Sequence, residues 1–133
     1  MTTEHSQQHS AFELIGGAVK LRELVDRFYD LMDLEPEFFD LRAMHPTPLD
    51  SSRDKLYWFL SGWTGGPDLY VEKLGHPRLR ARHLPYPIAS GERDQWLRCM
   101  AWAMQDIGLS EELRERLMHS FFRTADWMRN KED

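Results

Sequence analysis

Wherever this chain is strongly patterned, its apolar residues recur every third or fourth position. Leu21, Leu24, Val25, Phe28, Leu31 and Met32 form one such stripe. Trp96, Leu97, Met100, Ala103, Met104 and Ile107 form a second, and Leu113, Leu117, Phe121, Ala125 and Met128 a third. That period lays apolar side chains along one face of a helix, whereas a half-buried strand needs strict alternation, which no segment shows convincingly. The fold class is therefore all-α. At 133 residues the chain suits one domain with one contiguous core.

Local signals divide the chain. Residues 1–10 read as a disordered polar tail, and 11–133 as the domain, with any metal role for His5 and His9 given little weight. Gly16-Gly17 breaks a first short apolar patch, and the first stripe predicts a helix over about 18–33. Pro36 suits the first turn of a short helix carrying Phe38, Phe39, Leu41 and Met44, which His45-Pro46-Thr47-Pro48 stops. Asp50, Ser51 or Ser52 can cap the next helix, where Ser51 and Asp54 resemble a capping box, and Gly65-Gly66-Pro67 ends it. A turn or two of helix around Leu69 to Leu74 follows, then a short helix ending near His83, since Pro85 and Pro87 forbid a long one. The last two helices run about 90–107, with Ser90 as cap, and onward from Ser110.

Composition removes several function classes. A net charge of −5 argues against a duplex-binding surface. No apolar window approaches a bilayer span, and the polar N-terminus has no secretory pattern, so no membrane association is expected. The single cysteine, Cys99, cannot close an internal disulfide, which fits a reducing compartment; the expected location is the cytoplasm. Six histidines are present, but none has zinc-site spacing and no His-Glu-x-x-His occurs. Hydrolase, kinase and dinucleotide signatures are also missing.

His83 stands apart because Arg78, Arg80 and Arg82 precede it, with Leu79 and Ala81 between them. A haem needs a neutral imidazole for its iron, an apolar slot and cations for two propionates, and this segment offers the first and third together. Spacing alone nevertheless favours a partly exposed histidine that ends a basic helix. Tyr29 and Trp96 lie on apolar stripes and read by themselves as core aromatics with polar tips. Cys99 reads as a small buried hydrophobe. Covalent haem attachment would require Cys-x-x-Cys-His, which is missing.

The wording of five segments adds more. Gly16-Gly17, Arg27-Phe28-Tyr29, Gly65-Gly66-Pro67, Gly75-His76-Pro77-Arg78-Leu79-Arg80-Ala81-Arg82-His83 and Glu92-Arg93-Asp94-Gln95-Trp96-Leu97-Arg98-Cys99-Met100 occur in this order and spacing. The string closely resembles the truncated haemoglobins of the second group, over roughly residues 12–129. The resemblance implies a two-over-two helical sandwich around non-covalent haem b. It places His83 as the proximal iron ligand, with Tyr29 and Trp96 facing the bound gas. It puts His45 at the corner beside the haem and Ser52 where globins usually carry a distal histidine. Leu56, Phe59, Trp63, Leu79, Tyr86 and Ile88 would line the cofactor, and Lys55, Tyr70, His76 and Arg82 would meet its propionates.

The function so implied is binding of O2, CO and NO. Donors on Tyr29, Trp96 and His45 would each contribute about 1–3 kcal/mol in a dry pocket, which predicts slow release. Slow release suits ligand chemistry or detoxification of NO, peroxide and reactive species better than bulk oxygen transport. Peroxidase-like catalysis, for which His45 could serve as the base if it turns inward, NO dioxygenase-like catalysis, a reductase partner and a homodimer are left open. Two other readings stand beside this one: a haem-free helical interaction module, and a gas or redox sensor, which would ordinarily need an output domain.

Overall fold

The computed structural model describes residues 9–133, so His5 and most of the polar tail lie outside the described residues. Eight α-helices follow among the described residues: α1 (Ala11–Ile15), α2 (Ala18–Leu34), α3 (Phe39–Ala43), α4 (Asp50–Trp63), α5 (Leu69–Leu74), α6 (Leu79–His83), α7 (Ser90–Asp106) and α8 (Glu111–Trp127). A 3₁₀ turn, Pro36–Phe38, precedes α3, with Pro36 in its first turn as expected. No strand occurs among the described residues, and none of these helices is long and apolar enough to cross a membrane.

The three sequence stripes become α2, α7 and α8. α2 buries Leu21, Leu24, Val25, Phe28, Tyr29, Leu31 and Met32. α2 packs on α4 and α7 packs on α8, while α2 against α7 joins the two pairs; this is the two-over-two sandwich. α5 rests on α4, and α1 bridges α2 and α8.

Helix starts depart from expectation in three places. Ser10 belongs to the fold and not to the tail: its Oγ accepts the Glu13 N–H at 3.2 Å, and Glu13 Oε1 accepts the Ser10 N–H at 3.2 Å. This reciprocal box starts α1, a helix too short to show periodicity. The box expected at Ser51 and Asp54 does not form. Leu49 caps α4 without a side-chain bond, because the Asp54 carboxylate accepts from Arg22 Nη1 at 3.0 Å on the neighbouring helix. α7 is capped at Ala89 and not Ser90; the Ala89 N–H donates to Glu92 Oε1 at 2.8 Å. Ser110 does cap α8, its Oγ accepting the Leu113 N–H at 3.2 Å.

α6 is the exception in this well-buried architecture. None of its five residues is buried.

Candidate functional site

The first of the expected residues to find its place is Tyr29, which α2 carries into the interior with only 5% exposure. Its ring meets Phe28 edge-on at 5.0 Å and His45 edge-on at 5.8 Å. The Arg53 guanidinium lies 5.9 Å from the ring centroid, held by Asp26 at 3.1 Å and Asp30 at 2.7 Å. Burial pushes the phenol well above its ordinary range, so Tyr29 keeps its proton as a donor.

His45 turns inward from the chain leaving α3. Its Nδ1 sits 2.9 Å from the Leu41 carbonyl, which can only accept, so the ring proton is assigned to Nδ1. Burial holds its pKa below the ordinary histidine range against the opposing Leu41 hydrogen bond, and the charges of Arg42 and His83 add to the lowering. The neutral ring therefore presents a bare Nε2, an acceptor, so of the two roles open to His45, donor and base, its Nε2 offers the base. With Tyr29 and Trp96, this cluster offers two donors and one base.

Trp96, half-buried on α7, completes this side. Its ring lies 5.2 Å from Phe28 and 5.3 Å from Phe121, and Phe121 stacks on Trp63 at 4.7 Å and 15°. Among the described residues, neither Tyr29 Oη nor Trp96 Nε1 makes a hydrogen bond, and His45 bonds only through Nδ1.

His83 ends α6 with Nδ1 2.6 Å from the Leu79 carbonyl. The same logic puts its proton on Nδ1 and leaves the Nε2 lone pair available to a metal. Leu56, Phe59, Trp63 and Leu79 are half-buried apolar side chains, and Ile88 is buried. Phe59 meets Trp63 and Tyr70 at 6.5 Å each, and the Arg82 guanidinium lies 5.7 Å from the Tyr70 ring. Lys55, His76 and Tyr86 are exposed, and Ser52 is half-buried. Of these, His76 already accepts the Arg78 N–H at its Nδ1. The fold thus gathers Tyr29, His45 and Trp96 in one aromatic cluster and Phe59, Trp63, Tyr70 and Arg82 in another, with Lys55 and His76 outside both. Phe121, which links Trp63 to Trp96, was legible only as a stripe position, and Arg53 carried no sequence signal.

This donor set fits a haem: one imidazole with a free Nε2, large apolar side chains left half-covered, and cations at the rim. Comparison with known proteins agrees. The family description for bacterial-like globins matches residues 10–130. The chain belongs to this family. Within it, the globin is similar to the group 2 truncated hemoglobin YjbI of Bacillus subtilis (strain 168), at 42% identity over 92% of this chain and 90% of that protein. It resembles the solved group II 2-on-2 hemoglobin of Agrobacterium tumefaciens at 43% identity, with a TM-score of 0.90 over 96% of this chain and 98% of that one. The X-ray structure of the Bacillus subtilis truncated haemoglobin matches at 41% identity and a TM-score of 0.83, covering 92% of this chain and 100% of that one. Membership implies non-covalently bound haem with its iron, and binding of diatomic gases.

Proposed function

We propose that this globin holds haem b through His83 and binds O2 and related diatomic gases with slow release, serving chemistry on the bound gas or detoxification of NO and peroxide more than bulk transport. The observation that carries this reading is the pair of donors, Tyr29 Oη and Trp96 Nε1, carried by a buried and a half-buried residue and left without a protein acceptor among the described residues. Neither O–H nor N–H is committed to a protein acceptor, so both are free to donate to a ligand that enters beside them.

Ferrous haem supplies the coordination position at which a diatomic gas binds. The side chains do the rest. His83 Nε2 would hold the iron, with the ring oriented by the Leu79 carbonyl. Leu56, Phe59 and Trp63 would exclude water, and Lys55 and Arg82 would meet the propionates. Tyr29 and Trp96 would each donate a hydrogen bond to a diatomic ligand held there. His45 Nε2 is a base beside Tyr29, able to take a proton and return it. The Bacillus subtilis relative is described as oxygen-avid, in accord with slow release. Turnover also needs an electron donor, hence a reductase partner.

Tyr29→Phe and Trp96→Phe should each speed O2 dissociation by about tenfold, since each removes a hydrogen bond worth about 1–3 kcal/mol. Stopped-flow displacement measures it; unchanged rates in both single variants and the double would overturn the donor assignment. His83→Ala should leave little haem bound, and full retention with an unaltered absorption spectrum would remove His83 as ligand.

A further inference from the structure

The arm that carries His83 has almost nothing holding it from within. α6 buries no residue, and Pro77, Pro85 and Pro87 deprive its flanks of backbone donors. A segment of that kind is expected at the low end of local stability unless something ties it down. Here the ties run to the chain just beyond α8, and they converge on one side chain.

The Asn130 amide is fully engaged. Its Nδ2 donates to the His83 carbonyl at 3.2 Å and to the Tyr86 carbonyl at 2.9 Å. Its Oδ1 accepts the Ile88 N–H at 3.0 Å, and its backbone N–H donates to the Ile88 carbonyl at 2.8 Å. Neighbours reinforce the junction. Arg80 Nη1 donates to the Arg129 carbonyl at 2.9 Å and also to that of Trp127. The Lys131 N–H reaches Ile88 O at 3.1 Å, and the Ser90 N–H reaches Asp133 Oδ1 at 2.9 Å. The main chain is thus clamped from Arg80 to Ser90 by residues 127–133. Asn is the side chain that suits this role, since it alone among residues of its size offers two donors and an acceptor on one plane.

We infer that Asn130 is a positioning residue for His83: the chain after α8 forms a clasp that sets where the α6 arm, and with it the imidazole, stands relative to the haem. The inference rests on the reading of His83 as axial ligand. The clasp acts through the ligand and touches neither haem nor gas. It fixes the tension on the iron–imidazole bond and the rate at which the proximal side opens to release haem.

Asn130→Asp keeps the shape and the acceptor but loses both donors, setting a carboxylate against the His83 and Tyr86 carbonyls. In the haem-loaded protein, two readouts report on the clasp: the iron–histidine stretching frequency of the deoxy ferrous form by resonance Raman, and the rate of haem transfer to excess apomyoglobin. Asn130→Asp should shift the frequency and speed haem loss about tenfold (about 1.4 kcal/mol). Asn130→Gln, which keeps every polar group one methylene further out, should shift the frequency less and serves if the Asp variant fails to fold. Ser10→Ala weakens the helix at the other end of the chain and should lower thermal stability while leaving the frequency in place. A frequency and a haem-loss rate unchanged in both Asn130 variants, with His83→Ala abolishing the iron–histidine band, would overturn the clasp alone. Persistence of that band in His83→Ala would instead remove the ligand reading beneath it.

Discussion

His83 and His45 share one local device, an Nδ1 turned onto the carbonyl four residues back. It fixes the tautomer of each ring, so each offers an Nε2 lone pair: to a metal in one case, to a proton in the other. The residue types were legible in the sequence, but whether His45 offers a donor or a base was not, because the tautomer depends on where Nδ1 points at the end of α3. Cys99 shows how burial alone can set a chemistry. It is fully buried, its S–H donates to the Phe28 carbonyl at 3.2 Å, and desolvation pushes the thiol up to about 12, with Glu37 acting in the same direction. The folded protein keeps this proton at pH values where the unfolded chain, at the ordinary value of 9.0, has lost it. The contribution to stability is therefore complete below about pH 9 and declines as pH rises toward 12. Urea unfolding at pH 8 and pH 10 should show a loss of stability that Cys99→Ala reduces, although that variant is weaker at both. Equal losses in the two proteins would count against it. The native thiol should also resist a disulfide reagent until urea unfolds the chain.

At the scale of elements, the long helices were legible to within a residue or so, because the stripe that packs them is written in consecutive positions. Their caps were not, since the Asp54 carboxylate is drawn to Arg22 on a different helix, a partner no local window contains. α1 illustrates the converse: Ser10 and Glu13 stand at capping-box spacing, yet five residues carry too little period to announce a helix. How α1 seats on the end of α4 explains the Gly65-Gly66 pair. The Phe12 N–H donates to Thr64 O at 2.8 Å, and Gly65 takes φ +96°, a conformation open to glycine at little cost. A methyl group built on Gly66 would stand 2.5 Å from Cδ1 of the Phe12 ring. Gly66→Ala should therefore cost about 1–3 kcal/mol through overpacking. Combining it with Phe12→Ala should cost less than the sum of the two single changes, since the larger defect removes the clash. Denaturant midpoints of the four proteins measure the coupling; strict additivity would show that Phe12 moves aside freely.

For the molecule as a whole, the question is how two helix pairs around a haem space stay one cooperative unit. The four sandwich helices each give one ring to a continuous chain: Trp63 from α4, Phe121 from α8, Trp96 from α7 and Phe28 from α2. Phe121 is its joint, stacked on Trp63 at 4.7 Å and set edge-on to Trp96 at 5.3 Å, with 4% of its surface exposed. Truncating a ring at such a place removes its transfer energy, leaves a cavity and separates two aromatic contacts. Phe121→Ala should thus cost about 3–5 kcal/mol, and Phe121→Leu, which refills most of the volume, substantially less. Because the same ring abuts Trp96, Phe121→Leu should also alter O2 release, in the direction of Trp96→Phe but by a smaller factor. Far-UV circular dichroism and tryptophan fluorescence follow the two layers with different weights, and in the haem-free protein both should report one coincident transition, shifted down together by Phe121→Leu. Two separated transitions in that variant would mean that the α2–α4 and α7–α8 pairs are held together elsewhere, with the α2–α7 contact as the remaining joint.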